Sequence, residues 1–575
     1  MKHTFPIVLI ALVTINIVVT ISSCKKYTDP PPYFEEDSTA APVGKRKVLL
    51  IGIDGLPGKI YRELKPANMM ALQQNGKFTL SGIADNEKTT AAAGWKTLMS
   101  GVSYSTHQVG DSTFESSIQP EEGVTGKNYP SLFYFIIRSA RPDLQSRFIT
   151  SWPDLLTLLV PEASNKIATK NDKATKDSVL DALKNKSDDI VVAHFGSPAA
   201  AGKAGQFSAA DAVYKAAIQT VDGYIGEILT MLKSRSGYNT TEDWLVVITG
   251  THGGKDNYFG GVTDEETQIP TIYYNEKFAP IEFKRPDFSN PLFGTGQADA
   301  YGTVVNDNGL YNFGNTGDGG YTVEMKAYFP GSGTNYPSLL SKRERFSTGV
   351  VGWTLFLEGD YWQVNFGQAE QNNYQVAGSS IRDGKWHTLS FVIKDDGSSR
   401  KVRTYTDGNF NKEGDITSKG NISSPAPLTL GYLNTEPVSV KFNAADIRIF
   451  NAALSDDEVK SSACLNDISK HPQYSHLIGY WKCDDGIGAS LKNQATNAAG
   501  LNFKLRNSFE WNEVSVLPCN ITPSQPSGNN INLQLGNSGI AKSLFYWLRI
   551  GVPNSWGLEG SYWLQNYETE FLGVN

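Results

Sequence analysis

The sequence predicts a multidomain protein with an α/β domain, an all-β sandwich and a small β-rich carboxy-terminal module, in that order. Apolar runs at residues 47–53 and 244–248, with helical patterns between them, are typical of the buried strands of a mainly parallel sheet. Near residue 293 the pattern changes to short alternating strands, which is typical of a sandwich. A chain of 575 residues can bury several separate cores, and we expect the three domains at residues 45–297, 298–462 and 463–575.

The amino terminus has the pattern of a lipoprotein signal peptide. Lys2 and His3 precede a charge-free, predominantly apolar stretch at residues 6–21, and Ser22-Ser23-Cys24 follows it. We expect residues 1–23 to be removed and Cys24 to carry a lipid anchor to the membrane, with residues 24–44 as an extended tether. The alternative is an uncleaved transmembrane anchor, but the apolar run is short for a bilayer span. The prediction is a lipoprotein of the outer membrane or cell surface, on the periplasmic or extracellular face.

In the first domain, two predicted strands lead into polar side chains. The strand at residues 47–53 leads into Asp54, and the strand at residues 243–250 leads into Thr251 and His252. Helical patterns at residues 58–75 and 209–232 supply connections of the kind expected for a sheet covered on both faces. Because ligands of open α/β sheets bind at the carboxyl ends of the strands, we expect the site of this domain there.

These strands and the segment at residues 89–102 resemble the alkaline-phosphatase superfamily, specifically its type I phosphodiesterase and nucleotide-pyrophosphatase branch, across residues 45–291. The resemblance implies an α/β fold, a Ser or Thr nucleophile and two divalent metal ions. Asp54 matches the first metal-binding aspartate, and His252 matches the histidine of the family's Asp-His pair. Other residues occupy the nucleophile position, Ala91, and the remaining ligand positions: Ala199, Lys203, Thr251 and Phe259.

These replacements remove the groups that a two-metal reaction needs. Alanine offers no lone pair, and the Lys203 ammonium repels a cation. One carboxylate and one imidazole cannot hold two ions, so we expect no catalytic residue, no intact metal site and no cofactor. A register shift would bring the Thr90 hydroxyl to the nucleophile position, and a rearranged site with two zinc or other divalent ions is the alternative. We expect the two other histidines of the domain, His107 and His194, to be structural polar residues.

The second domain contains two stretches, residues 383–391 and 445–459, that resemble a laminin-G-like, concanavalin A-like lectin domain over about residues 299–462. The resemblance implies a jelly-roll sandwich and a glycan as partner. Sugar rings stack on aromatic side chains, and Trp353, Tyr361 and Trp362 are the candidates for such a platform. The alternative is that these aromatic residues pack in the core or between domains.

The segment after Cys464 is rich in aromatic residues and resembles a module that follows lectin-like sandwiches in exported lipoproteins of the Bacteroidota type. Its tryptophans are either sugar platforms or contacts between domains. With Cys24 lipidated, the three remaining cysteines permit at most one internal disulfide. Cys464 with Cys483 and Cys483 with Cys519 are both possible, and the sequence does not choose between them.

The composition restricts the function classes. A net charge of −7 and a pI of about 5.7 argue against general nucleic-acid binding, for which a basic patch is expected. We therefore predict an exported lipoprotein that recognises glycans without catalysis. The alternatives are an active metal-dependent phosphodiesterase or phosphatase with a rearranged site, and a structural partner in an outer-membrane assembly. The sequence does not identify the glycan, the protein partners or the oligomeric state.

Overall fold

The computed structural model describes residues 44–568 except residues 118–128, 287–288, 295–299, 332–335, 370–371, 432, 434–439, 499, 507–508, 514–518 and 520–529. The predicted signal peptide, Cys24 and the tether up to residue 43 lie outside the described residues. Within the described ranges, no helix combines the length and the apolar character that a membrane crossing requires.

The first domain is built on a mixed sheet of nine strands. Eight of them come from the first half of the chain: β1 (Lys45–Asp54), β2 (Gly76–Ile83), β3 (Ser146–Thr150), β4 (Asn165–Ala168), β5 (Ile190–Phe195), β6 (Glu242–His252), β7 (Gln268–Tyr274) and β8 (Ile281–Lys284). The ninth, β25 (Asn530–Asn532), comes from near the carboxy terminus, and the order is β25-β8-β2-β7-β6-β1-β5-β3-β4. The strands from β6 to β4 are parallel, whereas β7 is antiparallel to β6 and β2.

Helices cover both faces of this sheet. They are α1 (Gly58–Leu64), α2 (Ala67–Leu72), α3 (Ala91–Ser100), α4 (Tyr104–His107), α5 (Leu132–Ile137), α6 (Asp172–Asn185), α7 (Ser197–Ala204), α8 (Ala212–Lys233) and α9 (Asp264–Thr267). Strand β1 is buried on both sides because alternate residues enter different cores: Val48 and Leu50 enter one, Leu49 and Ile51 the other. The single helix predicted at residues 58–75 is wrong, because Lys65 adopts a left-handed conformation before Pro66 and separates α1 from α2.

The second domain is a sandwich of two antiparallel sheets. Its strands are β9 (Ser289–Phe293), β10 (Tyr301–Val304), β11 (Tyr321–Tyr328), β12 (Ser338–Arg343), β13 (Gly352–Glu358), β14 (Tyr361–Gly367), β15 (Tyr374–Ser380), β16 (Trp386–Asp395), β17 (Arg400–Thr406), β18 (Asn409–Asp415), β19 (Leu428–Gly431), β20 (Phe442–Phe450), β21 (Leu477–Trp481), β22 (Ser490–Leu491), β23 (Phe503–Arg506) and β24 (Glu510–Glu513). One sheet has the order β15-β14-β13-β12-β19-β10-β23-β22, and the other has the order β18-β17-β16-β11-β20-β9-β24, with β21 also paired to β20. The predicted α/β domain and all-β sandwich are confirmed.

The predicted carboxy-terminal module is not a separate unit. Strands β21 to β24 belong to the sandwich sheets, and helix α10 (Asp456–Ser462) precedes them. The chain then returns to the first domain, where β25 extends the nine-stranded sheet and helix α11 (Ile540–Trp547) packs in its core. Trp547 and Trp563 are buried in that core, so these two tryptophans are domain contacts and not sugar platforms. Sequence periodicity identifies apolar segments, but it does not say which domain they pack against.

The cysteines after residue 24 form one disulfide. It joins Cys464, just after α10, to Cys519, while Cys483 is a buried free thiol. Both pairings considered from the sequence, Cys464–Cys483 and Cys483–Cys519, are therefore wrong, because the buried Cys483 lies apart from the other two cysteines. The observed disulfide links the end of the lectin-like segment to the chain that follows β24.

Candidate functional site

Asp54, at the carboxyl end of β1, lies at the centre of a buried hydrogen-bond cluster. The indole Nε1 of Trp95 donates to its Oδ1 at 2.9 Å, and the Thr251 hydroxyl donates to the same oxygen at 2.5 Å. The Nε2 of His194 lies 3.0 Å from the other carboxylate oxygen, Oδ2. Asp54 is only 4% exposed, so protein groups rather than water satisfy this carboxylate.

Strand register explains why these residues meet. Strands β5 and β6 flank β1 in parallel, which places His194 and Thr251 at the same edge of the sheet as Asp54. A β-carbon at Gly52 would lie 2.5 Å from the indole of Trp95, so only glycine lets the ring reach the strand. Trp95 lies in α3, the helix that follows the predicted nucleophile position.

The charges of the cluster are coupled. Burial by itself raises the pKa of Asp54, but the charge and hydrogen bond of His194, with smaller contributions from His252 and Thr251, leave the pKa below its usual value. The Nδ1 of His194 lies 2.7 Å from the hydroxyl of Thr150, and that hydroxyl accepts from the backbone N–H of Trp152. Because the Asp54 carboxylate is an acceptor, the Nε2 of His194 carries the proton of that hydrogen bond, and the Thr150 hydroxyl holds the other side of the ring.

His252, the second matching residue, is completely buried. Its Nδ1 lies 2.7 Å from the carbonyl oxygen of Gly253, and its ring stacks on Phe259 at 4.3 Å between centroids. Its Nε2 has no hydrogen-bond partner among the described residues. Burial lowers the pKa of His252, although the charge of Asp54 opposes this shift. Phe259, at the position of the last family histidine, therefore presents a hydrocarbon ring to His252 instead of a second imidazole.

The nucleophile position carries no free hydroxyl. Ala91 is the first residue of α3, and Thr90 caps that helix by accepting from the Ala93 N–H at 3.2 Å while donating to the carbonyl of Gly110 at 2.8 Å. Thr89 is buried, donates to Gly261 O at 2.6 Å and accepts from Gly260 N at 3.2 Å. Both threonine hydroxyls bond to backbone groups, and neither bonds to a His, Asp or Glu side chain among the residues that the structure describes.

The resemblance matches two residues of α7, Ala199 and Lys203, to metal ligands, and the surroundings of these two residues differ. Ala199 is buried, and a β-carbon added at Gly55 would lie 2.6 Å from its α-carbon, so α7 packs directly against the residue after Asp54. Lys203 is exposed one helical turn further along α7. Residues within the described ranges include no group of three or more His, Cys, Asp or Glu side chains placed to hold a metal ion.

The sandwich contacts the loops that flank this cluster. Lys504 of β23 forms an ion pair with Glu87, two residues before Thr89. The Lys492 ammonium donates to the carbonyl of Val262 at 3.0 Å, beside Gly261, and the Asn86 side chain donates to the carbonyl of Ile487 at 3.4 Å. The second domain thus fixes both loops from outside the α/β domain.

Within the sandwich, the structure corrects the predicted aromatic platform. Trp353 and Trp362 are completely buried, and their indole nitrogens donate to Tyr311 O at 3.2 Å and Thr406 Oγ1 at 2.8 Å. Neither ring can stack on a ligand, so the prediction is wrong for both. Tyr361 is 54% exposed and stays a candidate. The sequence prediction also missed the role of Trp95 at Asp54, and it did not name the exposed Tyr336.

Residues 298–460 match the family described as the concanavalin A-like lectin/glucanases superfamily. None of the curated proteins compared with the chain matches it. Similar solved structures include a 2-O GAG sulfatase at 12% identity and a TM-score of 0.31, with 41% of this chain and 65% of that chain covered. Murine ectonucleotide pyrophosphatase/phosphodiesterase 5 is 14% identical with a TM-score of 0.29, and 36% of this chain and 57% of that chain are covered.

A third similar structure is a candidate carbohydrate binding protein from Bacteroides ovatus, at 13% identity and a TM-score of 0.29, with 46% of this chain and 76% of that chain covered. The chain spans less than two thirds of the length of the sulfatase and of the phosphodiesterase. The match to the lectin/glucanases superfamily confirms the lectin-like domain that residues 383–391 and 445–459 predict.

Proposed function

We propose that this protein recognises glycans through its lectin-like domain and that its α/β domain is a noncatalytic relative of metal-dependent phosphodiesterases. The observation that carries the proposal is a lectin-like sandwich joined to an α/β centre whose remaining carboxylate is occupied by protein donors. Sugar recognition needs exposed aromatic rings and oriented polar groups, which a sandwich can present without any reaction centre.

The donor set at Asp54 does not fit two divalent cations. Each cation in a two-metal centre needs several oxygen or nitrogen ligands with free lone pairs. Both carboxylate oxygens of Asp54 already face donors from Trp95, Thr251 and His194. His252 Nε2 is the one nitrogen of this cluster that has no partner in the described part of the chain, and Phe259 covers its ring. We therefore derive no step through a metal ion.

The proposed location is the outer membrane or cell surface, with the protein attached through Cys24. The pattern of the first 24 residues supports this part of the proposal, because a charge-free apolar run followed by a small residue and cysteine is typical of lipoprotein processing. Acyl chains would supply the membrane affinity that the polar tether lacks.

Metal analysis and a chromogenic phosphodiester assay on the purified full chain test the noncatalytic part. We expect no stoichiometric zinc and no hydrolysis above that of a heat-denatured sample. Two tightly bound metal ions per chain, with hydrolysis that chelation abolishes and zinc restores, would overturn it. Release of reducing ends from bound polysaccharides would contradict noncatalytic recognition by the sandwich.

A further inference from the structure

The outward side of strands β12 to β15 carries a group of side chains that the core does not use. Successive residues of a strand face opposite sides, and Leu357 and Trp362 point into the sandwich core. Glu358 on β13 and Tyr361 and Gln363 on β14 therefore face outward. Tyr361 pairs directly with Glu358 in the β13–β14 ladder, which brings the two side chains together on that outer side.

Glu358 orients two amides on this face. Its carboxylate accepts from the Nε2 of Gln363 and from the Nε2 of Gln375, the latter at 3.3 Å. Gln375 lies on β15, so its contact with Glu358 on β13 reaches across β14. The amide of Asn365 continues this network by donating to Gln375 Oε1 at 3.3 Å. Carboxylate and amide groups held in this way keep further donor and acceptor capacity for a ligand.

Two exposed tyrosine rings flank the carboxylate. Tyr361 is 54% exposed on one side, and Tyr336 is 48% exposed on the other, with its hydroxyl 3.4 Å from Glu358 Oε1. The Tyr336 ring is supported by Phe346 and Phe356, whose centroids lie 6.3 and 6.4 Å away in near-parallel planes. Tyr336 has a φ of +67°, a conformation that costs free energy for an aromatic residue.

The charged side chains on this outward face of the sandwich favour neutral glycans over acidic ones. The Glu358 carboxylate would repel a sulfate or uronate group. The nearby guanidinium of Arg343 is completely buried and donates to four oxygens, those of Val350, Ser347, Asn365 and Asn373, so it is not free to bind an anion. The exposed Arg345 is paired with Glu344 at 3.5 Å.

We propose that Tyr336, Glu358, Tyr361 and Gln375 form a binding subsite for neutral pyranose units of a glycan, with the buried Gln363 holding the Glu358 carboxylate in place. This inference rests on the proposed glycan recognition and adds its location and its ligand class. The apolar faces of the sugar rings stack on Tyr336 and Tyr361. The hydroxyl groups of the sugar bond to the Glu358 carboxylate and to the exposed amide of Gln375.

Affinity electrophoresis of the full chain tests the subsite. The gels contain a neutral β-glucan, α-mannan or galactan, or the acidic polysaccharides heparin or polygalacturonate. We expect retardation by at least one neutral polysaccharide and none by the acidic ones. Tyr361→Ala and Tyr336→Asn should each weaken that retardation about three- to tenfold, the range expected for losing one stacking ring. Asparagine tolerates a left-handed backbone, so Tyr336→Asn should fold with no loss of thermal stability.

Two exposed aromatic residues elsewhere provide matched controls. Tyr258, 63% exposed near the Asp54 cluster, and Phe410, 48% exposed on β18 of the other sheet, should be replaceable by alanine without change in retardation. If a neutral polysaccharide still retards Tyr361→Ala and Tyr336→Asn but retards Tyr258→Ala less, the proposed subsite is wrong. Glycan recognition by the protein would still hold in that case. Retardation by heparin that depends on Tyr361 would overturn the ligand class. If no polysaccharide of the panel retards the wild-type chain, both the subsite and the proposed function fail.

Discussion

Trp547 offers the most direct test of how the chain is organised, because it joins the carboxy-terminal segment to the first strand. Its ring is 1% exposed and packs edge-on against Phe278, and the Arg46 guanidinium lies 4.4 Å from its centroid. Its indole nitrogen donates to the carbonyl of Lys47 in β1 at 3.0 Å. If α11 completes the α/β core, then Trp547→Ala must destabilise a strand that is 500 residues away in the sequence.

The expected loss follows from this burial. Removing a buried tryptophan side chain to alanine costs about 3–5 kcal/mol, from lost apolar burial and the cavity left behind. Trp547→Phe keeps most of the ring and removes the bond to Lys47, so we expect a smaller loss of about 1–2 kcal/mol. Each 1.4 kcal/mol is tenfold in an equilibrium constant. Trp547→Ala should therefore lower hydrogen-exchange protection of the slowest amides of β1 and β6 by about a hundred- to several-thousandfold.

Hydrogen exchange measured by mass spectrometry reports the protection of each domain separately in one experiment. Peptides from β16 in the sandwich serve as the internal reference and should be unchanged in Trp547→Ala. Trp353→Ala is the matched control, because it removes a fully buried tryptophan from the sandwich and should lower protection in β16 while sparing β1. Unchanged protection in β1 and β6 of Trp547→Ala would refute the conclusion that the carboxy-terminal segment belongs to the α/β core.

Two further predictions concern a buried carboxyl group and the leader. Burial raises the pKa of Asp85 to about 6, despite hydrogen bonds from the backbone of Glu87 and Tyr104 and from Thr97. The folded state therefore holds this proton more tightly than the unfolded chain, so the stabilisation is complete below about pH 4 and is lost as the pH rises through about 6. In Asp85→Asn this fall in the free energy of unfolding, which amounts to up to about 3 kcal/mol between about pH 4 and 6, should disappear. Urea titrations across this pH range measure it, and a pH profile identical to that of the wild type would contradict the assignment. Cys24→Ala should abolish labelling of the expressed protein by a radioactive fatty acid, and labelling that persists in this variant would exclude Cys24 as the acceptor.

The sequence predicted the convergence at Asp54 for a simple physical reason. Strands β1 and β6 read as buried parallel strands, and the carboxyl ends of parallel strands meet at one edge of a sheet. Asp54, Thr251 and His252 therefore had to lie close together wherever the helices packed. The sequence could not predict that Trp95 contacts Asp54. This contact depends on the absence of a β-carbon at Gly52, which lets the indole reach a strand that lies 43 residues earlier in the chain.

The aromatic residues of the sandwich show where pattern reading failed. Tyr361 and Trp362 are adjacent on β14, so their side chains must face opposite sides of the sheet and cannot share one platform. The alternation of side chains along a strand could have excluded either Tyr361 or Trp362 from the platform. It could not say which of the two, because the side of β14 that faces the core depends on where the second sheet packs. The return of β25 and α11 to the first domain was equally hidden, because apolar periodicity records burial and not the identity of the burying surface.

Thr251 supplies one of the hydrogen bonds that satisfy the buried carboxylate of Asp54. An aspartate at this position, as the resemblance to the phosphodiesterases implies, would place two carboxylates in contact inside the protein, and that arrangement needs either a cation or a shared proton between them. The threonine hydroxyl instead donates to Asp54 Oδ1 at 2.5 Å and turns the repulsion into a hydrogen bond. Phe259 makes a comparable change by stacking on His252 where a second imidazole would otherwise stand. Both positions thus carry uncharged side chains: Thr251 satisfies Asp54, and Phe259 covers the ring of His252 without offering a partner to its Nε2. Asp54 therefore has a structural role of its own, because its hydrogen bonds join β1 to α3 through Trp95, to β6 through Thr251 and to β5 through His194.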